Sequence, residues 1–147
     1  MSTQIFVEDI YKYCTDLSSW TQLDGTVKRS DFSLPTDHEL VIKFNNTPNT
    51  QLADLNLSNY WVYAWNIGLN NTKNISWRTS SSNSTDNLTM DLNKDIEYKL
   101  RLENGVITLY CDNTQIYTHQ TYVDTLGTGY IRLINTDRVQ WIKVREL

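Results

Sequence analysis

One stretch of the chain decides its fold class: Ile96-Glu-Tyr-Lys-Leu-Arg-Leu-Glu-Asn-Gly-Val-Ile-Thr-Leu-Tyr-Cys111. Apolar and charged residues alternate from Ile96 to Glu103, which is the period of two expected of a half-buried strand. Asn104-Gly105 is the strongest short hairpin signal, and apolar residues alternate again from Val106 to Cys111. The stretch therefore predicts two antiparallel strands joined by a tight turn.

Similar patterns recur along the rest of the chain and predict roughly nine to eleven strands. Segments 45–59 and 80–87 are predicted as polar loops, and 7–16 is the one helix candidate, because its apolar residues fit a helical stripe. So many short strands at even spacing indicate a sandwich or a barrel. The predicted strands cover 27–34, 38–44, 61–67, 75–80, 88–92, 96–103, 106–111, 114–118, 129–134 and 139–145.

The composition agrees with an all-β chain. Of 147 residues, 44 are Ser, Thr or Asn, and Tyr and Trp are frequent. Short polar side chains compete for nearby backbone groups and so disfavour helix interiors, whereas aromatic residues and Thr are typical of strands. With only five Gly and two Pro, the turns are expected to use Asn and Asp. The length fits a single domain spanning 1–147.

Charge and hydropathy narrow the class of partners. The net charge is −4 and no cluster of Lys and Arg stands out, which argues against nucleic acid as a partner. No apolar run is long enough to span a membrane. No basic segment followed by an apolar one begins the chain, so no signal peptide is predicted. We therefore expect a protein that is cytoplasmic as expressed, or a component of a virion or a cell surface.

The two cysteines, Cys14 and Cys111, lack the Cys-x-x-Cys spacing of a zinc site. Two interpretations stay open at this point. They are either two buried thiols, since cysteine is often buried, or a disulfide that ties the first strand to a late one.

The last third of the chain resembles the C-terminal half of the concanavalin A-like lectin and glucanase jelly rolls, including laminin-G-like domains. The resemblance lies in the hairpin at Asn104-Gly105, in Ile107-Thr-Leu-Tyr-Cys-Asp-Asn113, in Thr128-Gly129 before a strand, and in the final strand around Trp141. Asn113 stands where Gly is more usual, and Asn tolerates the left-handed backbone of such a turn. The resemblance implies a two-sheet antiparallel jelly roll in one domain.

The glucanase members of these families have a catalytic sequence motif that can be compared with this chain. They carry a strand with a Glu-x-Asp-x-Glu type motif, because two carboxylates must flank the glycosidic bond. Here Asp95-Ile-Glu97 and Glu8-Asp9 are the nearest matches, and neither is a strand with three carboxylates. Glu97 belongs to an alternating charged pattern typical of a solvated face. The sequence therefore predicts a protein that is not an enzyme.

The aromatic residues of one predicted strand support the most specific hypothesis about function. Trp61, Tyr63 and Trp65 alternate along one predicted strand, and flat indoles stack on the apolar faces of sugar rings. Two interpretations stay open, because large aromatic residues of a sandwich are often core residues and Val62 and Ala64 are apolar too. The predicted ligand-binding residues are Trp61, Tyr63, Trp65, Asn66, Trp77, Arg78 and Trp141.

A structural calcium ion is the only cofactor that the resemblance implies, since many jelly rolls of this class hold one near the first and last strands. Calcium binds carboxylate and carbonyl oxygens. By position, Glu8, Asp9 and Asp137 are the predicted contributors.

The sequence as a whole favours a non-catalytic module whose partner is a carbohydrate, bound through a sheet face that carries aromatic residues and Asn. The alternative is a protein-binding or structural component of a larger assembly, such as a virion fibre, decoration or baseplate domain, an adhesin module or a homo-oligomer. A glycoside hydrolase is the third hypothesis.

Overall fold

The structure is a computed structural model that describes residues 11, 13–44, 53–58, 63–67, 73–78, 83–88, 97–120, 129–133 and 136–147. These residues form two antiparallel sheets that face each other. The first sheet has six strands in the spatial order β1 (Tyr13–Thr15), β13 (Val139–Glu146), β4 (His38–Phe44), β9 (Glu97–Glu103), β10 (Val106–Cys111) and β11 (Thr114–Gln120).

The second sheet has seven strands in the order β2 (Thr21–Asp24), β3 (Val27–Leu34), β12 (Gly129–Leu133), β5 (Ala53–Ser58), β6 (Tyr63–Ile67), β7 (Lys73–Arg78) and β8 (Asn83–Asn87). A short 3-10 turn, Thr136–Arg138, leads into β13. Within the described ranges, no helix is long and apolar enough to cross a membrane.

The hairpin predicted from the deciding stretch is confirmed. Strand β9 pairs with β10, and Leu100 and Leu102 are fully buried. Asn104 and Gly105 have φ of 51° and 80°, and Asp112 and Asn113 have φ of 50° and 67°. Two consecutive residues with positive φ define the type I′ turn that suits the twist of a hairpin. The first turn is therefore the predicted Asn-Gly turn, and the second uses the Asp and Asn residues that the composition predicted for turns.

The hydrophobic core lies between the two sheets. Alternate residues of each strand point inward, so that the six-stranded sheet contributes Leu40, Ile42, Leu100, Leu102, Ile107, Leu109, Ile142 and Val144. The seven-stranded sheet contributes Leu34, Ile75, Ile131 and Leu133. The removal of this apolar surface from water is the main force that holds the sheets together.

Two contacts between described residues of opposite sheets add specificity to this packing. The rings of Tyr13 and Phe32 stack with centroids 3.6 Å apart. At the far edge, the Tyr117 hydroxyl donates a hydrogen bond of 2.7 Å to Oδ2 of Asp86. Burial, together with this carboxylate, raises the pKa of Tyr117. These contacts hold the two sheets together at both edges of the six-stranded sheet, through β1 and through β11.

Three predicted elements are wrong, and the predicted strand 88–92 lies mostly outside the described residues. Residues 13–15, which the sequence assigned to a helix, form strand β1 because they pair with β13. Strand β5 lies in the predicted loop 45–59, and β8 lies in the predicted loop 80–87. Backbone hydrogen bonds to neighbouring strands form these elements whatever the polarity of their side chains.

The topology excludes one of the two interpretations of the cysteines, and Cys111 is half-buried rather than buried. Cys14 lies in β1 and Cys111 in β10, and three strands separate β1 from β10 in the sheet. With adjacent strands about 4.8 Å apart, the two residues are about 19 Å apart, whereas a disulfide needs Cα atoms within about 7 Å. A bridge between Cys14 and Cys111 is therefore excluded.

Candidate functional site

The strand register of the seven-stranded sheet aligns two rows of residues across β5 to β8, and every one of them except Ala64 is polar. Directly opposite residues of an antiparallel pair lie on the same face of the sheet, so each row occupies one face. The first row is Asp54, Asn66, Asn74 and Asn87, and the second is Asn56, Ala64, Ser76 and Thr85.

Described side chains of β7 and β8 show which face these rows occupy. Thr85 and Asn87 are exposed, whereas Ile75 and Leu88 are buried. Asp86, between the two exposed residues, reaches Tyr117 of the opposite sheet. The rows that end at Thr85 and Asn87 therefore lie on the outer face of the seven-stranded sheet, which we call the polar face.

The predicted aromatic residues fall on the other side of this sheet. Tyr63 is paired with Trp77, and Trp65 is paired with Ile75, which is buried in the core. By backbone register, positions 63, 65 and 77 therefore lie on the same side of this sheet as Ile75. Trp61 lies outside the described residues.

Two predicted polar residues occupy the polar face. Asn66 is part of its first row, and Arg78 is paired with Asn83 on the same side. The predicted residues that lie in the described strands of this sheet are thus divided between its two faces. The ligand-binding role of these residues remains a prediction.

Trp141 lies apart from the others, on the six-stranded sheet. Its ring is half-buried, and Lys143 places its Nζ 4.5 Å from the ring centroid. The ring lines a groove of about 320 Å³ on the outer face of that sheet. The other residues of the groove include Tyr11, Val41, Glu97, Lys99 and Lys143.

A buried carboxylate lies on the same outer face. Glu39 is only 2% exposed and is held by Arg145, by Arg101 at 3.3 Å and by the Tyr11 hydroxyl at 3.1 Å. Burial and the adjacent Glu39 raise the pKa of Tyr11 to about 12, and the bond to Glu39 raises the pKa of Arg145. This network neutralises Glu39 in place, which suits a structural role better than the proton transfer expected of a glycosidase acid.

The calcium prediction concerns residues that are mostly outside the described ranges. Glu8 and Asp9 are among the residues not described, and Asp137 is exposed in the 3-10 turn. Among the described residues, no group of three His, Cys, Asp or Glu side chains could hold a metal ion. The calcium site remains a prediction.

Sequence reasoning missed an arginine pair at the edge of the polar face. Arg29 of β3 is directly opposite Arg132 of β12, and the Arg29 guanidinium lies 4.5 Å from the ring centroid of Tyr130. Arg132 is in turn opposite Asn56 of β5, in the second polar row. The alternation of Tyr130 and Arg132 was visible in the sequence, but the partner strand was not.

Comparisons with known proteins agree on the fold. No family model matches the chain, and no curated protein sequence matches it either. Galectin LEC-6 of Caenorhabditis elegans has a TM-score of 0.58 at 13% identity, over 78% of this chain and 94% of that one.

Two further solved structures show the same likeness. Toad ovary galectin, in complex with thio-digalactose, has a TM-score of 0.58 at 11% identity, over 83% of this chain and 100% of its own. Bacillus licheniformis beta-glucanase has a TM-score of 0.59 at 12% identity, over 82% of this chain and 71% of its own. The fold is the concanavalin A-like jelly roll that the sequence resemblance implied.

Proposed function

We propose that this protein is a non-catalytic carbohydrate-binding module and that the polar face of the seven-stranded sheet holds the sugar. The observation that carries the proposal is the pair of polar rows that the register aligns across β5 to β8 and that ends at the exposed Thr85 and Asn87. Amides and hydroxyls supply both donors and acceptors, which is what the hydroxyl groups of a sugar require.

Two further observations support this assignment. The rows lie on strands that are paired with one another, so the backbone register places their residues on one face of the sheet. Toad ovary galectin, which has the same fold, was solved with thio-digalactose and with N-acetylgalactose. Galactose and its derivatives are therefore the first ligands to test.

The experiment is a calorimetric titration of the protein with thio-digalactose and with N-acetylgalactosamine. Asn87→Ala and Thr85→Ala should each weaken binding by about tenfold, which corresponds to the loss of one good hydrogen bond. Thr118→Ala is the matched control, because Thr118 is an exposed strand residue of the other sheet. Equal binding by Asn87→Ala, Thr85→Ala and the control would place the sugar elsewhere and contradict the proposal.

A glycoside hydrolase is the second candidate, because beta-glucanase shares this fold. A retaining glycosidase needs two carboxyl groups about 5–5.5 Å apart at the bound sugar. Release of reducing sugar from a β-glucan by the purified protein would support this candidate. Incorporation into a larger assembly, the remaining alternative, is tested by sedimentation of the protein from its native source.

A further inference from the structure

Two like charges occupy directly opposite positions at the edge of the polar face. Arg29 and Arg132 are register partners in the pairing of β3 with β12, where Cβ atoms are about 4.5–5.5 Å apart. Like charges in this position are destabilising. The pair therefore lowers stability unless something else neutralises it.

Each arginine also has an unsatisfied donor. Nε of Arg29 and Nε of Arg132 are buried and have no hydrogen-bond partner among the described residues. A buried donor without an acceptor lowers the stability of the folded state. Arg101 and Arg145 of the six-stranded sheet differ, because both bind the carboxylate of Glu39.

The local structure holds this pair in place. Arg29 lies over the ring of Tyr130 at 4.5 Å, which restricts the plane of its guanidinium. Ser30 is fully buried beside it, accepts a hydrogen bond of 3.1 Å from the Ile131 amide, and donates one of 2.7 Å to the Phe32 carbonyl. These bonds fix the backbone at the irregularity between β3 and β12 that brings the arginines opposite each other.

We infer that Arg29 and Arg132 form a subsite for an anionic group, a carboxylate or a sulfate, carried by the sugar that binds the polar face. This inference rests on the proposed function, because the pair lies next to Asn56 in the second polar row. A planar guanidinium binds a carboxylate or a sulfate through two parallel hydrogen bonds. An oxyanion between the two arginines would remove the repulsion between the charges, and it would satisfy the buried Nε donors once the two side chains turn toward it.

The test compares three sugars that differ only at C6: galactose, galacturonic acid and galactose 6-sulfate. We expect one or both acidic sugars to bind about tenfold more tightly than galactose, and the one that does identifies the anion. Arg29→Gln and Arg132→Gln should abolish this preference. Lys143→Gln removes one positive charge from the opposite sheet and should retain the preference.

A second measurement does not depend on sugar binding. Inorganic sulfate should shift the Nε–Hε NMR signals of Arg29 and Arg132 in a saturable way and leave those of Arg101 and Arg145 in place. Arg132→Gln should unfold at the same or a higher urea concentration than the wild type, because it relieves a like-charge contact. A merely structural arginine would lower that concentration when replaced.

The outcomes separate this inference from the proposed function. Binding of galactose without any preference for the acidic sugars would overturn the anionic subsite and leave the proposed function standing. Failure of all three sugars to bind would overturn the proposed function, and the subsite with it. Unchanged Nε–Hε signals in sulfate would count against the subsite whatever the sugars do.

Discussion

Arg145 holds the carboxylate of Glu39 through two hydrogen bonds, from Nε to Oε1 at 3.0 Å and from Nη2 to Oε2 at 3.2 Å. Glu39 is 2% exposed, although it lies on the outer face of the six-stranded sheet. The surrounding arginine side chains cover it. Geometry of this kind gives a carboxylate a larger role in stability than an ordinary surface ion pair.

We expect Glu39→Gln to lower the free energy of unfolding by about 2 kcal/mol, because hydrogen bonds to charged groups contribute about 1.5–3 kcal/mol. Glu103→Gln is the matched control, since Glu103 is 48% exposed and lies 3.7 Å from Arg101. That change should cost less than about 0.5 kcal/mol. Urea denaturation measures both, and equal effects would show that the buried network adds no stability.

The burial of His38 should make the free energy of unfolding depend on pH. His38 is 1% exposed, its Nδ1 donates a hydrogen bond of 2.9 Å to the Pro35 carbonyl, and burial lowers its pKa from 6.5 to about 4. Between pH 6.5 and pH 4 the unfolded state therefore binds more protons than the folded state. The free energy of unfolding should fall as the pH is lowered through this range, by up to about 1.4 kcal/mol per unit from this group.

Urea denaturation over that pH range, with His38→Gln beside the wild type, isolates this contribution. The difference between the two proteins should shrink or reverse as the pH falls, because the variant lacks the proton uptake. A His38→Gln protein with an unchanged slope would mean that His38 is protonated in the folded state.

The two type I′ turns predict opposite effects of two single substitutions. Asn113 has φ of 67° and Gly105 has φ of 80°, and glycine adopts this region without the clash that a Cβ causes. Asn113→Gly should raise the free energy of unfolding by about 0.5 kcal/mol, and Gly105→Ala should lower it by about 1 kcal/mol. Thermal denaturation measures both, and a shift of the same sign in both variants would contradict this account of the turns.

Trp65 and Trp141 lie on different sides of their sheets, and replacing each of them tests that assignment. Position 65 shares the core-facing side with Ile75, so we expect Trp65→Ala to cost about 3–5 kcal/mol of stability. Trp141 is half-buried on an outer face, and Trp141→Ala should cost less. Acrylamide quenching of Trp65→Phe and Trp141→Phe, each compared with the wild type, shows which indole the solvent reaches. Greater quenching of Trp65 than of Trp141 would contradict the register.

The sequence predicted those parts of the fold whose signal is local. The strand of Ile96 to Glu103 and its turn at Asn104-Gly105 carry both the alternation and the turn chemistry within one short stretch. Strand β8, Asn83–Asn87, has no apolar residue and exists because its backbone pairs with β7. No local pattern could reveal it.

The candidate site was harder to predict for the same reason. The alternation of Tyr63 and Trp65 predicted a strand, but apolar neighbours on both sides left the orientation of that strand open. Only the pairing with Ile75 indicates which side faces the core. Likewise, Arg29 and Arg132 meet through a pairing between strands far apart in the sequence, which no single segment encodes.

The order in which the strands are synthesised differs from their order in space. Strand β13 lies between β1 and β4, and β12 lies between β3 and β5, although both come after every other strand in the chain. A ribosome-bound chain that has not yet reached Gly129 therefore leaves a gap inside each sheet, with the unpaired edges of β3, β4 and β5 open to other chains. Stable folding must wait for these two strands. During synthesis, these unpaired strand edges must be kept from pairing with other chains.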